Sequence, residues 1–341
     1  MPGQPVVAKR RVFSGIQPTG QLHLGNYLGA ISLWVAAQED HEVIVCIADL
    51  HALTTPENVR ATQLRAKVRE TAAVLLACGI DPVRATLFVQ SRVGAHAELA
   101  WLLSCVTPVG WLERMIQFKA RAAALESVGT GLLAYPVLQA ADILLYRADL
   151  VPVGEDQRQH IELTRDIARR FHTLFGQVFK LPESMVRPGG ARIMGLDDPT
   201  AKMSKSVAET RDRHAIGLVD PPDVIREAIM HAVTDSGREV RSDQASPGVT
   251  NLLTIYKLLS GRSREAIHTE FEGKGYAALK RAVADLVITT FEPIRQRYLD
   301  LSAELATLDA ILAEGAERAR MVAEPTLNQV KQLIGLDEEV Q

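Results

Sequence analysis

Positions 202–206 read K-M-S-K-S, within LDDPTAKMSKSVAETRD. Two lysines three apart, beside two serines, suit neither a core nor a strand. On a short loop they suit a polyphosphate, because each ammonium brings three donors and a full charge. A second constellation lies near the N-terminus. In VFSGIQPTGQLHLGNYLGA, Gly15, Gly20, Gly25 and Gly29 surround His23 and Asn26. A strand, a glycine-containing loop and a helix start together make an anion site, and Gly25 permits close backbone approach. His23 can donate to a phosphate oxygen. Taken alone, the stretch is equally an ordinary strand-to-helix turn, since neither GxGxxG nor a P-loop motif occurs in the chain.

A third candidate is Asp142, in the apolar helical stretch QAADILLY. A carboxylate among Ala, Ile and Leu needs a partner if it is buried; otherwise it is a helix Asp facing solvent or an arginine. Gln17 and Gln157 are neutral, two-sided hydrogen-bonding groups. Glu155 and Asp156 open a helix, where acidic residues suit the dipole. Lys119 and Arg121, after ERMIQF, are placed to reach a polyphosphate, but read more readily as surface charge. Other catalytic patterns fail. His160 and Glu162 form H-x-E, but no P-C-x-x-C follows, and HExxH, GxSxG and the EF-hand spacing are absent. The three cysteines, Cys46, Cys78 and Cys105, form no CxxC pair and sit in apolar segments. A sparse, buried, odd set suits a reducing cytoplasm and speaks against zinc, iron–sulfur or disulfide frameworks.

The elements that position these groups alternate. RVFSG, VIVCIADL (43–50), ATLFVQS (85–91) and DLVPVG read as strands, and the second is a nearly unbroken apolar run, as buried parallel strands are. Helices are expected from about Asn26, from about Pro56 to a stop at Cys78–Gly79, around 95–105, 110–119 and 136–147, and over 155–170. After about 206 the strands stop: PPDVIREAIMHAV, NLLTIYKLLSG, SREAIHTEFEG, 276–304 and AERARMVAEPTLNQVKQLIG are helical by period and punctuation. This alternation argues for a doubly wound parallel sheet followed by a helical part.

Composition bounds the class. A chain of 341 residues, 47% apolar and 23% charged, builds a sizeable core and is not disordered. No apolar run reaches the roughly 18 residues of a membrane span, and the N-terminus has no signal-peptide core. With a net charge of −3, any contact with RNA must rest on a local basic surface.

H-L-G-N at 23–26 and K-M-S-K-S at 202–206 resemble the HIGH and KMSKS signatures of class I aminoacyl-tRNA synthetases. The second match is complete; in the first, Leu24 and Asn26 depart, and an asparagine there is common in one branch. SGIQPTGQLHLGNYLGA, YPVLQAADILLY, VPVGEDQRQHIELTRDIARRF, ARIMGLDDPTAKMSKS and EGKGY are similar to the bacterial tryptophanyl-tRNA synthetases, from about Val12 to the C-terminal helices. The resemblance implies a Rossmann-like catalytic domain over 11–205, a helical anticodon-binding domain over 206–320, and a C-terminal helix over 321–341 that can pack back on the first. It implies ATP-dependent activation of L-tryptophan and transfer to the 3′ end of tRNA(Trp), with Mg²⁺ carried on the ATP phosphates. A cytoplasmic homodimer is expected, with neither membrane nor DNA as partner.

By the same resemblance Lys202, Ser204, Lys205, His23 and Asn26 would be catalytic. Gln17, Gly25, Ile193, Met194 and Met203 would join them around ATP. Asp142, Gln157, Tyr135, Val151, Val153, Phe13, His51 and Gln17 would hold tryptophan, with Asp142 reading the indole N–H. Gln139 departs from the pocket methionine frequent in bacterial members. Three other readings stand beside this one. A tyrosyl-tRNA synthetase is opposed by the GEDQ and AADILLY context. A tRNA-independent nucleotidyltransferase is opposed by the helical second half. A silent paralogue binding RNA or tryptophan is opposed by intact Lys202, Lys205, His23 and Asp142.

Overall fold

The structure, a computed structural model, describes residues 9–54, 59–123, 125, 127–154, 157–185, 192–208, 210–235, 237, 239–240 and 245–336. Five strands, β1 (Arg11–Ile16), β2 (Glu42–Ile47), β3 (Ala85–Val89), β4 (Leu150–Pro152) and β5 (Glu183–Met185), form one parallel sheet in the order β3-β2-β1-β4-β5. β5 is absent from the sequence reading because ESM is short, polar and at the sheet edge.

Side chains of β2 alternate between two cores, as strand geometry requires. Val43, Val45 and Ile47 enter one buried cluster, Ile44 and Cys46 the other. Helices cover both faces. α1 (Leu24–Asn26) passes through a wide π turn at Tyr27–Ile31 into α2 (Ser32–Ala37), and α3 (Asp49–Ala52) and α4 (Ala61–Ala77) lead to β3. α5 (Ala95–Val106), α6 (Val109–Glu113), α7 (Ile116–Ala122) and α8 (Thr130–Leu145) lead to β4, and α9 (Arg158–Phe175) to β5. The expected helix starts at Pro56 and Glu155 lie outside the described residues; so do Glu155 and Asp156 themselves.

The second half is helical: α10 (Lys205–Ala208), α11 (Pro222–Met230), α12 (Pro247–Ser260), α13 (Arg264–Phe271), α14 (Tyr276–Ala303) and α15 (Leu305–Leu333). Its core residues Ile225, Leu252 and Val283 share one buried cluster with Val12 and Val45 of the sheet. The border expected at 320 falls inside α15, which runs unbroken and lies against β3. The cysteines are free, but Cys105 is exposed rather than buried, because its position on α5 faces outward.

Candidate active site

The sheet order reverses between β1 and β4, and open α/β sheets bind ligands beyond the carboxyl ends of the strands at such a point. A cavity of about 300 Å³ lies there. Phe13, Ser14, Gly15 and Gln17 line it from β1, and Val151, Pro152, Val153 and Gly154 from β4. Tyr135, Gln139, Asp142, His51 and Gln157 complete it, together with Trp34 and Gln117. All eight residues expected around an amino acid therefore converge on one cavity. Phe13 is further fixed by stacking on Tyr146, with ring centroids 5.2 Å apart.

Asp142 is 4% exposed. Gln90 Nε2 donates to its Oδ1 at 2.7 Å, His96 Nδ1 lies 2.6 Å from the same oxygen, and His51 Nε2 lies 2.8 Å from Oδ2. Burial alone pushes this carboxyl's pKa up, yet His51 and His96 outweigh burial and hold it well below the usual range. The carboxylate is thus ionised in the wall of the cavity, and Oδ2 keeps a lone pair for a further donor. The second nitrogen of His96 meets the Tyr146 hydroxyl at 2.8 Å, which fixes the ring. Tyr135 is set by its own hydroxyl contact with His160 Nε2 at 2.8 Å.

The two signature segments meet beside this cavity. His23 bridges Gly217 in antiparallel fashion, and Met194 bridges Lys202. Leu24 N–H donates to Ile216 O at 2.8 Å, and Leu218 N–H to Leu22 O at 2.9 Å. Lys205 Nζ donates to the Gln17 carbonyl at 2.9 Å, so the 202–206 loop reaches across to the first loop. Met203 is not a surface residue: it is 2% exposed, and with Ile193 it sinks into the core, so these two offer backbone to a ligand. Met203 N–H donates to Ile193 O at 3.0 Å.

His23 is 4% exposed, and among the described residues its Nδ1 has no hydrogen-bond partner. Burial, and then the charges of Lys205, His214 and Lys202, hold its pKa down at about 3, so the ring is neutral. A Cβ on Gly25 would stand 3.1 Å from that ring, so only glycine leaves it undisturbed. Asn26 has a local task as well, since its Oδ1 accepts the His23 backbone N–H at 3.1 Å. Lys119 is exposed on α7.

Sequence reasoning misses four residues. Gln90 sits at the carboxyl end of β3, a position that could have marked it. His96 is a histidine in an apolar helix, a signal passed over. Asn251, 4% exposed, clamps the backbone of Met194 from both sides, accepting from its N–H and donating to its carbonyl, each at 2.9 Å. His214 packs under Lys202. Neither of the last two has a local signal.

Known proteins are similar to this chain over nearly its whole length. The family profile described as tRNA synthetases class I (W and Y) matches residues 7–292. The tryptophan–tRNA ligase of Gloeobacter violaceus is 54% identical over 330 residues, covering 96% of this chain and 97% of that protein. The corresponding ligase of Wolinella succinogenes is 51% identical over 329 residues, covering 96% and 99%. Among solved structures, tryptophanyl-tRNA synthetase from Mycoplasma pneumoniae superposes with a TM-score of 0.88 at 36% identity, covering 96% of this chain and 98% of that one. The Campylobacter jejuni enzyme, solved with ADP and tryptophan, gives 0.81 at 36%, covering 96% and 100%. With the paired signatures and the cavity in place, the chain belongs to the class I tryptophanyl-tRNA synthetases.

Proposed function

We propose that the cavity seats the side chain of L-tryptophan with its indole N–H on Asp142, and that the 202–206 loop clamps ATP above it. The buried, ionised carboxylate in the cavity wall carries this reading, because an indole N–H is a donor with no acceptor capacity. A site built for a donor rejects analogues that lack it. A relative solved with ADP and tryptophan supports both ligands.

The tryptophan carboxylate attacks the α-phosphorus of ATP in line and pyrophosphate leaves; no general base is needed. Gln157 and Tyr135 orient the amino acid, so much of the rate comes from positioning. Lys202 and Lys205 bind the β- and γ-phosphates as charge builds on the leaving group, and Ser204 adds a donor. His23, being neutral, contributes a hydrogen bond without repelling the lysines, and Asn26 supports it. Among the described residues no three His, Cys, Asp or Glu side chains gather to hold a metal. Mg²⁺ would therefore be held mainly by phosphate oxygens and water, where it neutralises phosphate charge. The aminoacyl group then passes to the 3′-terminal ribose of tRNA(Trp), and the helical part, 206–320, reads the anticodon.

A homodimer is part of the same proposal. Trp101, Val109 and Ile116 stand 70%, 57% and 69% exposed on consecutive helices, and a second copy of the chain is their proposed cover. Among the described residues no helix is long and apolar enough to cross a membrane.

ATP–pyrophosphate exchange with tryptophan, tyrosine and phenylalanine, without tRNA, tests the reading. Exchange with tryptophan alone is expected. Exchange with tyrosine would remove the indole assignment, and no exchange would remove the adenylation step.

A further inference from the structure

We propose that His214, held as an imidazolium by Asp197, is a positioning residue that fixes the 202–206 loop for ATP. The proposal rests on the reading of that loop as an ATP clamp. His214 is fully buried. Its Nδ1 lies 2.6 Å from Asp197 Oδ1, and its Nε2 lies 3.2 Å from the Lys202 carbonyl oxygen. A neutral imidazole has one N–H and one lone pair. Here both nitrogens face acceptors, a carboxylate and a carbonyl. Only the doubly protonated ring donates to both. His96 gives the contrast within the same molecule. Its Nδ1 also meets a buried carboxylate, but its Nε2 meets the Tyr146 hydroxyl at 2.8 Å. A hydroxyl can donate, so one ring proton is enough for both of those contacts.

The backbone is shaped around the His214 ring. A Cβ on Gly195 would stand 2.4 Å from its Cε1, so glycine is what admits the ring. Arg213, just before it, adopts φ +62°, a left-handed conformation that non-glycine residues hold only where the surroundings dictate it. Leu196 N–H donates to the His214 carbonyl at 3.1 Å. The ring is thus locked between the 195–197 turn and the Lys202 backbone.

The charged neighbours are Asp197 and Asp198 on one side, and Lys202 and Lys205 on the other. Arg211 stands 3.7 Å from each of the two aspartates, and neutral His23 lies close enough to feel the His214 charge. Among the described residues Asp197 alone touches the ring as an anion. Two consequences follow for the substrate. Pinning the Lys202 carbonyl fixes where its side chain departs from the loop. The buried imidazolium also adds a third positive charge beside Lys202 and Lys205, where a triphosphate would sit.

The test is ATP–pyrophosphate exchange from pH 5.5 to 9 on the full chain, comparing wild type with Asp197→Asn and His214→Asn. In wild type the KM for ATP should rise about tenfold as the ring loses its proton, the effect of one charge-assisted hydrogen bond. Asp197→Asn removes the counter-charge and should move that rise to lower pH, with the KM for tryptophan unchanged. His214→Asn should show the raised KM for ATP at every pH. A long-range ¹H–¹⁵N spectrum of the histidine rings, with His214 assigned by its shift in Asp197→Asn, should show both nitrogens protonated at pH 7. A neutral tautomer at pH 7, or an ATP profile that Asp197→Asn leaves in place, overturns the proposal. Lys202→Ala with an unchanged KM for ATP would instead bring down the clamp reading beneath it.

Discussion

At Asp142 a buried carboxylate survives because three side chains from three other segments donate to it. Gln90 and His96 meet one oxygen and His51 the other. Removing the carboxylate strands all three donors. Asp142→Ala should therefore lower tryptophan kcat/KM more than 100-fold and also destabilise the chain by about 3–5 kcal/mol, as breaking a buried charged network does. Exchange kinetics and urea unfolding read the two effects separately. Asp142→Asn keeps an acceptor and should lose mainly the kinetic part. His23 makes a different prediction. Its pKa is about 3 when folded, against 6.5 for an unperturbed histidine, because burial, Lys205, His214 and Lys202 oppose its charge. The unfolded chain thus binds more protons between those values, so the group's contribution to stability falls as pH drops from about 6.5 towards 3. Relative to His23→Gln, wild type should lose up to about 3 kcal/mol more between pH 7 and pH 4 in chemical denaturation.

At the scale of elements, α12 is tied to the signature loop through one side chain. Asn251 makes both backbone bonds to Met194, one residue past Ile193 and across from Lys202. Asn251→Ala leaves a buried N–H and C=O without partners, at a cost of about 2–4 kcal/mol. It should also raise the KM for ATP while sparing the KM for tryptophan, since the cavity lining lies elsewhere. Equal rises in both constants would show that the tie is only structural. The strands of the sheet are legible in sequence where both faces are buried: VIVCIA is an unbroken apolar run because Val45 and Cys46 enter different cores. β5 is not legible, since its three residues carry no alternation. The residues gathered at the cavity sit in long sequence blocks, which makes them easy to single out. Gln90, His96 and Asn251 acquire meaning only from partners 52, 46 and 57 positions away, and no local pattern announces such a pairing.

At the scale of the molecule, the last long helix closes the first sheet. β3 is an edge strand, and exposed edges invite unwanted pairing. α15 lies against it at unusually short range: a Cβ on Gly315 would stand 1.8 Å from the Leu87 carbonyl oxygen. No side chain movement relieves that contact, because both partners are backbone. Arg318 then donates to the Ala85 carbonyl at 3.1 Å, and Asp309 accepts from Arg69 Nε of α4 at 3.0 Å. Beyond the glycine, Ala316, Ala319, Ala323 and Val330 enter the same core as Phe88 and Ala141. The chain's end therefore completes the layer that holds α8, and with it Asp142 and Tyr135. Gly315→Ala must lift the helix off the strand or bend it. Lifting should lower the melting temperature by at least about 5 °C, on the order of 3 kcal/mol for a chain of this size. It should also weaken tryptophan binding, although residue 315 does not line the cavity. Gly335→Ala, on the same terminus but with nothing among the described residues within 4 Å of its Cβ, is the control for backbone effects at a φ of +75°. If Gly315→Ala lowers stability no more than this control does, the helix does not hold the sheet. A drop confined to Gly315→Ala, accompanied by weaker tryptophan binding, ties the C-terminal helix to the amino-acid site through packing.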